Sequence, residues 1–360
     1  VNNGSLQIID SSAEKTSLIT SNLGTLITNN GTLELGEVAF SMTDANGTSS
    51  SYVDFIVNNG NLSMDDTSIT VDSNTRYINV INNTSNINIE FATITGERVN
   101  YRNEIKAIYS CGDVYIKDAD FYASILNYDD DTDSQNVIKG TIEIDDIYMS
   151  GGIINTGSSV YVENVSKPAV RINAGEIYNG LSPSNGIWAE ISNANGEFII
   201  GESGSVDTLF IGAVSTSSWI TRFTNSSNGK VVVNSGTVNL SFTNTSGEVI
   251  LNDGTIGIGL SSYSIYGDPT RTFTNSSEGT FRILGGEFME KIVNDGTLII
   301  GENDGVINTQ VPMVRMVNTA STDATISGSG TFKYYDGTIK SISDVPVENY
   351  VTEIATNSEI

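Results

Sequence analysis

The chain has 360 residues, of which 17 are Lys or Arg and 43 are Asp or Glu, so its formal net charge is −26. Such an acidic surface repels the phosphates of nucleic acids and anionic membrane surfaces, and no apolar run reaches the ~18 residues of a membrane span. Histidine is absent and Cys111 is the only cysteine, which excludes the commonest general base, zinc clusters and an internal disulfide.

One phrase recurs along the chain: two apolar residues, Asn, a short polar turn that often ends in Gly, and a four-residue strand pattern. In chain order it reads LITNNGTLEL (26–35), FIVNNGNLSM (55–64), NVINNTSNINI (79–89), IYSCGDVYI (108–116), IINTGSSVYV (153–162), ISNANGEFII (191–200), FTNSSNGKVVV (223–233), FTNTSGEVIL (242–251), FTNSSEGTFRI (273–283), IVNDGTLII (292–300) and MVNTASTDATISGSGTFKY (316–334). A further strand generally follows, as in GTVNL (236–240) and GTIKS (337–341). The repeat predicts three short strands per unit, in units of about 27 residues on average.

A three-strand unit of this size cannot bury its own apolar face and has to stack on its neighbours. Strands of successive units would then pair in parallel about 4.8 Å apart, and form three sheets around a narrow interior. We therefore predict an all-β fold, a right-handed parallel β-helix solenoid of about thirteen three-strand coils. The solenoid is expected to cover residues 1–341 as a single domain, and residues 342–360 to form a C-terminal extension or partial cap.

The recurrent Asn lies at one corner of each predicted coil. A stack of amides there can donate to the coil above and accept from the coil below, and Asn tolerates the backbone of a tight turn. The alternative is that NSS, NTS and NGT are acceptors for N-glycosylation. The predicted Asn ladder comprises Asn29, Asn58, Asn82, Asn155, Asn193, Asn225, Asn244, Asn275, Asn294 and Asn318.

The units NNGTLEL, NDGTLIIG and SGTFKYYDGTIKS resemble the repeats of right-handed parallel β-helix proteins that bacteria secrete or display on their surface. That group includes pectin-lyase-like folds and adhesin-type proteins. The resemblance extends over nearly the whole chain, and its motifs belong to the coil itself. It implies an extracellular or cell-surface location and, often, adhesion.

Long connections between the second and third strands are predicted to project from one edge of the solenoid, where binding residues usually lie. They cover residues 41–52, 95–104, 124–136, 180–186, 259–271 and 301–312. Arg and Tyr are the side chains in these loops best suited to contact a glycan or a surface protein. The candidates are Arg98, Tyr101, Arg102, Tyr128, Tyr263 and Tyr266.

Two of these loops lie on consecutive predicted coils, one with arginines and one with aspartates. The aspartates would either form salt bridges with the arginines or present oxygens to Ca²⁺, a hard cation. The candidate calcium ligands are Asp129, Asp131 and Asp133. They do not form an EF-hand, because Ser134 and Gly140 replace its glycine and its last glutamate. No other cofactor is predicted.

Two pairs of adjacent acids, Asp65–Asp66 and Asp145–Asp146, are the best candidates for catalysis. Neighbouring residues of a strand point to opposite faces, so each pair offers one carboxylate to a given face, and no catalytic residue is predicted. We therefore expect a structural or adhesive β-helix that presents loops to a glycan or a surface protein. The alternatives are a self-associating subunit of an extracellular filament and a polysaccharide lyase or hydrolase.

Overall fold

The computed structural model describes residues 1–10, 16–21, 25–43, 51–72, 77–96, 105–130, 138–156, 169–178, 191–204, 209–212, 222–257, 272–302, 304, 312–316, 326–335 and 337–341. This part of the chain is all-β, and it contains no helix that could cross a membrane. The chain divides into two compact units, Val1–Glu190 and Ile191–Ile360. The predicted boundary between a solenoid and a terminal extension stays a prediction, because residues 342–360 lie outside the described residues.

The described residues of the first unit form eighteen strands. They are β1 (Ser5–Ile9), β2 (Thr16–Ser21), β3 (Ile27–Asn29), β4 (Thr32–Gly36), β5 (Val38–Thr43), β6 (Val53–Asn58), β7 (Asn61–Asp65), β8 (Ser68–Val71), β9 (Ile78–Asn83), β10 (Asn86–Glu90), β11 (Thr93–Gly96), β12 (Ile105–Ser110), β13 (Val114–Tyr122), β14 (Ser124–Asp130), β15 (Ile138–Lys139), β16 (Thr141–Ser150), β17 (Ile153–Thr156) and β18 (Ala169–Tyr178).

Parallel pairing sorts the strands of the first unit into three columns. The first column runs β1, β4, β7, β10, β13, β16, β18. The second runs β2, β5, β8, β11 and then the later parts of β13, β16 and β18. The third column runs β3, β6, β9, β12, β14, β17. Strand β15 instead pairs with β14 in an antiparallel hairpin. The predicted solenoid-like stacking of parallel strands is thus confirmed in this unit.

The second unit repeats this arrangement with β19 (Ile191–Ala194), β20 (Glu197–Ile200), β21 (Leu209–Gly212), β22 (Arg222–Ser226), β23 (Gly229–Val233), β24 (Thr237–Asn239), β25 (Ser241–Leu251), β26 (Thr255–Ile256), β27 (Thr272–Ile283), β28 (Glu287–Phe288), β29 (Lys291–Asn294), β30 (Thr297–Ile300), β31 (Met313–Met316), β32 (Ile326–Ser327), β33 (Thr331–Tyr334) and β34 (Thr338–Ser341). Its columns run β20, β23, β25, β27, β30, β33, then β21, β24, β26, β28, β31, β34. The third column is β19, β22, β25, β27, β29, β32. Strands β25 and β27 belong to two columns because they continue through a corner.

Alternation along the strands places apolar side chains in the interior. In β4, Leu33 and Leu35 are buried while Thr32 and Glu34 are partly exposed, as the two-residue period of a strand requires. The core of the second unit contains a stack of phenylalanine rings from successive coils. Its members, all fully buried, are Phe198, Phe223, Phe242, Phe273, Phe281 and Phe288. The phenylalanine of the FTNSS phrases therefore points inward and belongs to the core.

A second corner of the first unit uses a left-handed backbone conformation at residues other than glycine. The residues with positive φ there are Glu37, Asp66, Phe91, Asp118 and Asp146. The amide of Asp66 donates to the carbonyl of Glu90 on the next coil at 3.2 Å. Asp66 and Asp146 are thus corner residues, and Asp is among the residues that tolerate this conformation.

Candidate functional site

The Asn ladder is present in both units, and its side chains are buried. In the first unit, each amide Nδ2 donates to the Oδ1 of the next Asn: Asn2 to Asn29 at 2.7 Å, Asn29 to Asn58 at 2.7 Å and Asn58 to Asn83 at 2.8 Å. Further along this unit, Asn127 donates to Asn155 at 3.0 Å. In the second unit, the same bonds join Asn193, Asn225, Asn244, Asn275 and Asn294 over 2.8 to 2.9 Å.

The ladder amides also form hydrogen bonds with the backbone of the turns that follow them, as Asn29 shows. The Oδ1 of Asn29 accepts from the Gly31 amide at 3.2 Å, and its Nδ2 donates to the Asn61 carbonyl of the next coil at 2.9 Å. A Cβ at Gly31 would lie 2.0 Å from the Gly4 carbonyl oxygen, so the close stacking of these corners requires glycine there. Buried and hydrogen-bonded in this way, the ladder amides are inaccessible to glycosylation in the folded chain.

The structure corrects one predicted position of the ladder and adds others. Asn83, rather than Asn82, accepts from Asn58, because β9 aligns Asn83 with Asn58 and Asn82 with Val57. The Asn82 side chain is partly exposed and donates to Asp54 instead. Asn2 and Asn127 belong to the ladder and were not predicted. Asn318 lies outside the described residues.

Ser110 interrupts the ladder of the first unit. It accepts from Asn83 Nδ2 at 3.0 Å, but its short hydroxyl donates to the Gly112 carbonyl at 2.9 Å. Asn127 is aligned with Ser110 on the next coil, and its Oδ1 is buried with no hydrogen-bond partner. A buried acceptor without a hydrogen bond lowers the free energy of unfolding by about 1–3 kcal/mol.

Replacement of Ser110 by Asn is expected to restore the continuous ladder. Its Nδ2 would reach Asn127, and its Oδ1 would still accept from Asn83, so the free energy of unfolding should rise by about 1 kcal/mol. Urea denaturation followed by circular dichroism measures this change, with Ser110→Ala as the control that should destabilise the chain. A loss of stability in Ser110→Asn would show that the corner lacks room for the amide.

A tyrosine–lysine cluster lies on the outer face of the third column of the first unit. It consists of Tyr52, Asp54, Tyr77, Asn79, Asn82, Lys106, Tyr109 and Tyr128. The rings of Tyr109 and Tyr128 stack with centroids 4.2 Å apart, and those of Tyr52 and Tyr77 meet edge to face at 5.7 Å. Stacked and edge-to-face pairs are the favoured arrangements of aromatic rings.

Lys106 lies between two rings of this cluster. Its Nζ is 4.0 Å from the Tyr52 centroid and 4.9 Å from the Tyr109 centroid, which are favourable cation–π distances. Burial lowers the pKa of the Lys106 ammonium, and the nearby Asp54 carboxylate opposes that effect. The amine is therefore held in a partly desolvated position that favours its neutral form more than water does.

Two amides hold the Asp54 carboxylate in this cluster. Its Oδ1 accepts from Asn79 Nδ2 at 2.8 Å and its Oδ2 accepts from Asn82 Nδ2 at 2.9 Å. Asn79 is only 5% exposed, and its Oδ1 is buried without a hydrogen-bond partner. The cluster thus combines aromatic surface, an amine, a carboxylate and an unsatisfied acceptor.

Of the predicted ligand contacts, Tyr128 belongs to this cluster. Arg98, Tyr101, Arg102, Tyr263 and Tyr266 lie outside the described residues, as do Asp131 and Asp133. The backbone of Asp129 pairs with Lys139 in the hairpin formed by β14 and β15. Within the described part of the chain, no three acidic residues or cysteines are grouped as metal ligands, and calcium at the Asp loop stays a prediction.

The two predicted acid pairs do not meet. Asp65 and Asp145 share one row of the first column, separated by Glu90 and Lys117 on the strands between them. Three strand spacings place them about 14 Å apart, which is beyond the roughly 5–9.5 Å that glycosidases use. Asp145 accepts a hydrogen bond from the Tyr115 hydroxyl at 3.2 Å.

Comparison with known proteins gives no relative: no protein-family model, no curated protein and no solved structure matches the chain. The resemblance to pectin-lyase-like and adhesin-type repeats therefore stays a prediction from the sequence.

Proposed function

We propose that this chain is a structural and adhesive protein, secreted or displayed on a bacterial surface, and that it binds glycan at the tyrosine–lysine cluster. The scaffold of this proposal is a right-handed parallel β-helix of about thirteen three-strand coils. The parallel columns and the Asn ladder support it, because both hold successive coils in a fixed register.

The stacked pair Tyr109–Tyr128 is the observation that favours a glycan. Partly exposed aromatic rings offer an apolar face to the C–H groups of a sugar, while amide, carboxylate and amine groups beside them bind hydroxyls. Asp54, Asn82 and Lys106 supply those polar groups. A neutral sugar suits the chain better than an acidic one, because the net charge of −26 repels anions.

A glycan array followed by calorimetry on the best ligand tests this proposal. The double variant Tyr109→Ala, Tyr128→Ala is expected to weaken binding about tenfold or more, since a lost stacking contact of about 1.4 kcal/mol corresponds to a factor of ten. The matched control is Tyr122→Ala, Tyr148→Ala, a ring pair 5.9 Å apart that belongs to β13 and β16.

Equal weakening by both double variants, or an array without any binding, would reject the glycan proposal. The two alternatives from the sequence, a filament subunit and a polysaccharide lyase or hydrolase, stay predictions.

A further inference from the structure

Three chemically complementary side chains are aligned on successive strands of the third column. Asn79 of β9 is in register with Asp54 of β6 on one side and with Lys106 of β12 on the other. Aligned residues of parallel strands project from the same face about 4.8 Å apart, a distance that a lysine side chain easily spans. The row therefore places an amine, a carboxamide and a carboxylate side by side.

Asp54 fixes the orientation of the Asn79 amide. The amide must turn Nδ2 toward the carboxylate, as the 2.8 Å hydrogen bond shows, because the reverse orientation would bring two oxygens together. The amide group is planar, so its Oδ1 points away from Asp54. This oxygen is the buried one without a hydrogen-bond partner, so nothing holds the carbonyl except the interaction through Nδ2.

Lys106 is suited to act as a nucleophile. The rings of Tyr52 and Tyr109 surround its Nζ, and burial lowers its pKa. A desolvated lysine is a known way to obtain a reactive amine near neutral pH. Asp54 lies in the same row as Asn79 and Lys106, and its carboxylate acts on the charge of the Lys106 ammonium. It is therefore the carboxylate to which we assign the proton of Lys106.

We propose that Lys106 and Asn79 join in an intramolecular isopeptide bond, with Asp54 carrying the protons. The Lys106 ammonium gives a proton to Asp54, and the neutral Nζ attacks the Cγ of Asn79. The bond between Nζ and Cγ forms, the bond between Cγ and Nδ2 breaks, and Nδ2 leaves after receiving protons through Asp54.

The reaction is balanced without an oxidant or a further reactant. Of the three ammonium protons of Lys106, one stays on the new amide and two pass to the leaving nitrogen. The products are a secondary amide and an ammonium ion, so the total charge is unchanged. Because the fold holds the two groups in register, the reaction is intramolecular. It therefore avoids the entropic cost of bringing two separate reactants together.

Such a bond would tie two adjacent coils covalently at the middle of the cluster. It involves the side chains of one face only and leaves the backbone pairing of β9 and β12 intact. In the bonded chain Lys106 contributes an amide N–H to the cluster in place of its ammonium group, while the stacked pair Tyr109–Tyr128 is unchanged. The bond forms by the chemistry of these side chains and does not depend on glycan binding.

Mass spectrometry of the purified, folded chain tests it. The intact mass is expected to be about 17 Da below the sequence mass, the mass of one ammonia. Proteolysis should yield one branched peptide that contains both Asn79 and Lys106. The loss should disappear in Lys106→Arg, Asn79→Ala and Asp54→Ala, and it should persist in the control Lys117→Ala, a lysine of β13.

The Lys106→Arg variant and the branched peptide distinguish the proposed bond from misfolding and from other losses of ammonia. Lys106→Arg retains the charge and the contact with the rings but removes the nucleophilic amine, so a folded Lys106→Arg chain of full sequence mass supports the bond. A succinimide at an Asn–Gly pair such as Asn59–Gly60 also loses ammonia, but it gives no branched peptide. Recovery of Asn79 and Lys106 in separate peptides from the folded wild-type chain would overturn the proposal.

Discussion

Replacement of Phe273 by Ala is expected to lower the free energy of unfolding by about 4 kcal/mol, the usual cost of removing a fully buried phenyl group. The Phe273 ring stacks on Phe281 at 3.8 Å and on Phe242 at 5.0 Å, and it meets Phe288 edge to face at 5.9 Å. Its removal leaves a cavity between the rings of Phe242, Phe281 and Phe288. Chemical denaturation monitored by circular dichroism gives the change directly.

The control for this variant is Phe91→Ala. The Phe91 side chain is 55% exposed, so the same deletion there should change stability by no more than about 0.5 kcal/mol. A double-mutant cycle of Phe273 with Phe242 should also show a coupling of about 0.5–1.5 kcal/mol, as expected for stacked rings. Similar losses in Phe273→Ala and Phe91→Ala would contradict the assignment of the ring stack to the core.

The second large effect is expected at the Asn ladder, where Asn244→Ala should cost about 3 kcal/mol. Asn244 donates to Asn275 Oδ1 at 2.8 Å and accepts from Asn225 Nδ2 at 2.9 Å. Alanine removes both bonds and leaves buried amide groups on the coils above and below without this partner. A buried amide group without a partner lowers the free energy of unfolding by more than its hydrogen bond had contributed, because water cannot reach it.

The exposed pair formed by Asn252 and Asn234, also joined at 2.9 Å, provides the control. Asn252→Ala should change stability by no more than about 0.5 kcal/mol, because water replaces the lost partner. Equal costs for Asn244→Ala and Asn252→Ala would mean that the ladder contributes no more than a surface hydrogen bond.

Asn244→Asp separates the role of hydrogen bonding from that of shape. Burial raises the pKa of such a carboxyl group, and its protonated form can still donate to Asn275. Stability of this variant is therefore greatest in acid, below the carboxyl pKa of the unfolded chain, and falls as the pH rises through the folded-state pKa. The loss relative to the native chain should thus be larger at neutral than at mildly acidic pH.

The cluster that contains the proposed bond was only partly predictable. The sequence predicts that Tyr128 lies in a loop over residues 124–136, but the structure places it in strand β14, with its ring stacked on Tyr109. Asp54 and Asn79 are 25 residues apart, and only the pairing of β6 with β9 aligns them. No local pattern marks these residues, because each looks like a common outward-facing polar residue of a strand.

The amino-acid sequence by itself determined the all-β fold, the parallel stacking of short strands and the inward Asn at most corners. Those features follow from local alternation and from a repeated turn, which are readable without knowing the neighbours of a strand. Only the tertiary structure showed that Asn83, and not Asn82, belongs to the ladder, and that Ser110 interrupts it. Only the pairing of strands aligns Asp54, Asn79 and Lys106 in one row. The physical reason is strand register. A shift of one residue exchanges the inner and outer faces of a strand, and because the loops vary in length, the sequence alone does not determine which register is adopted.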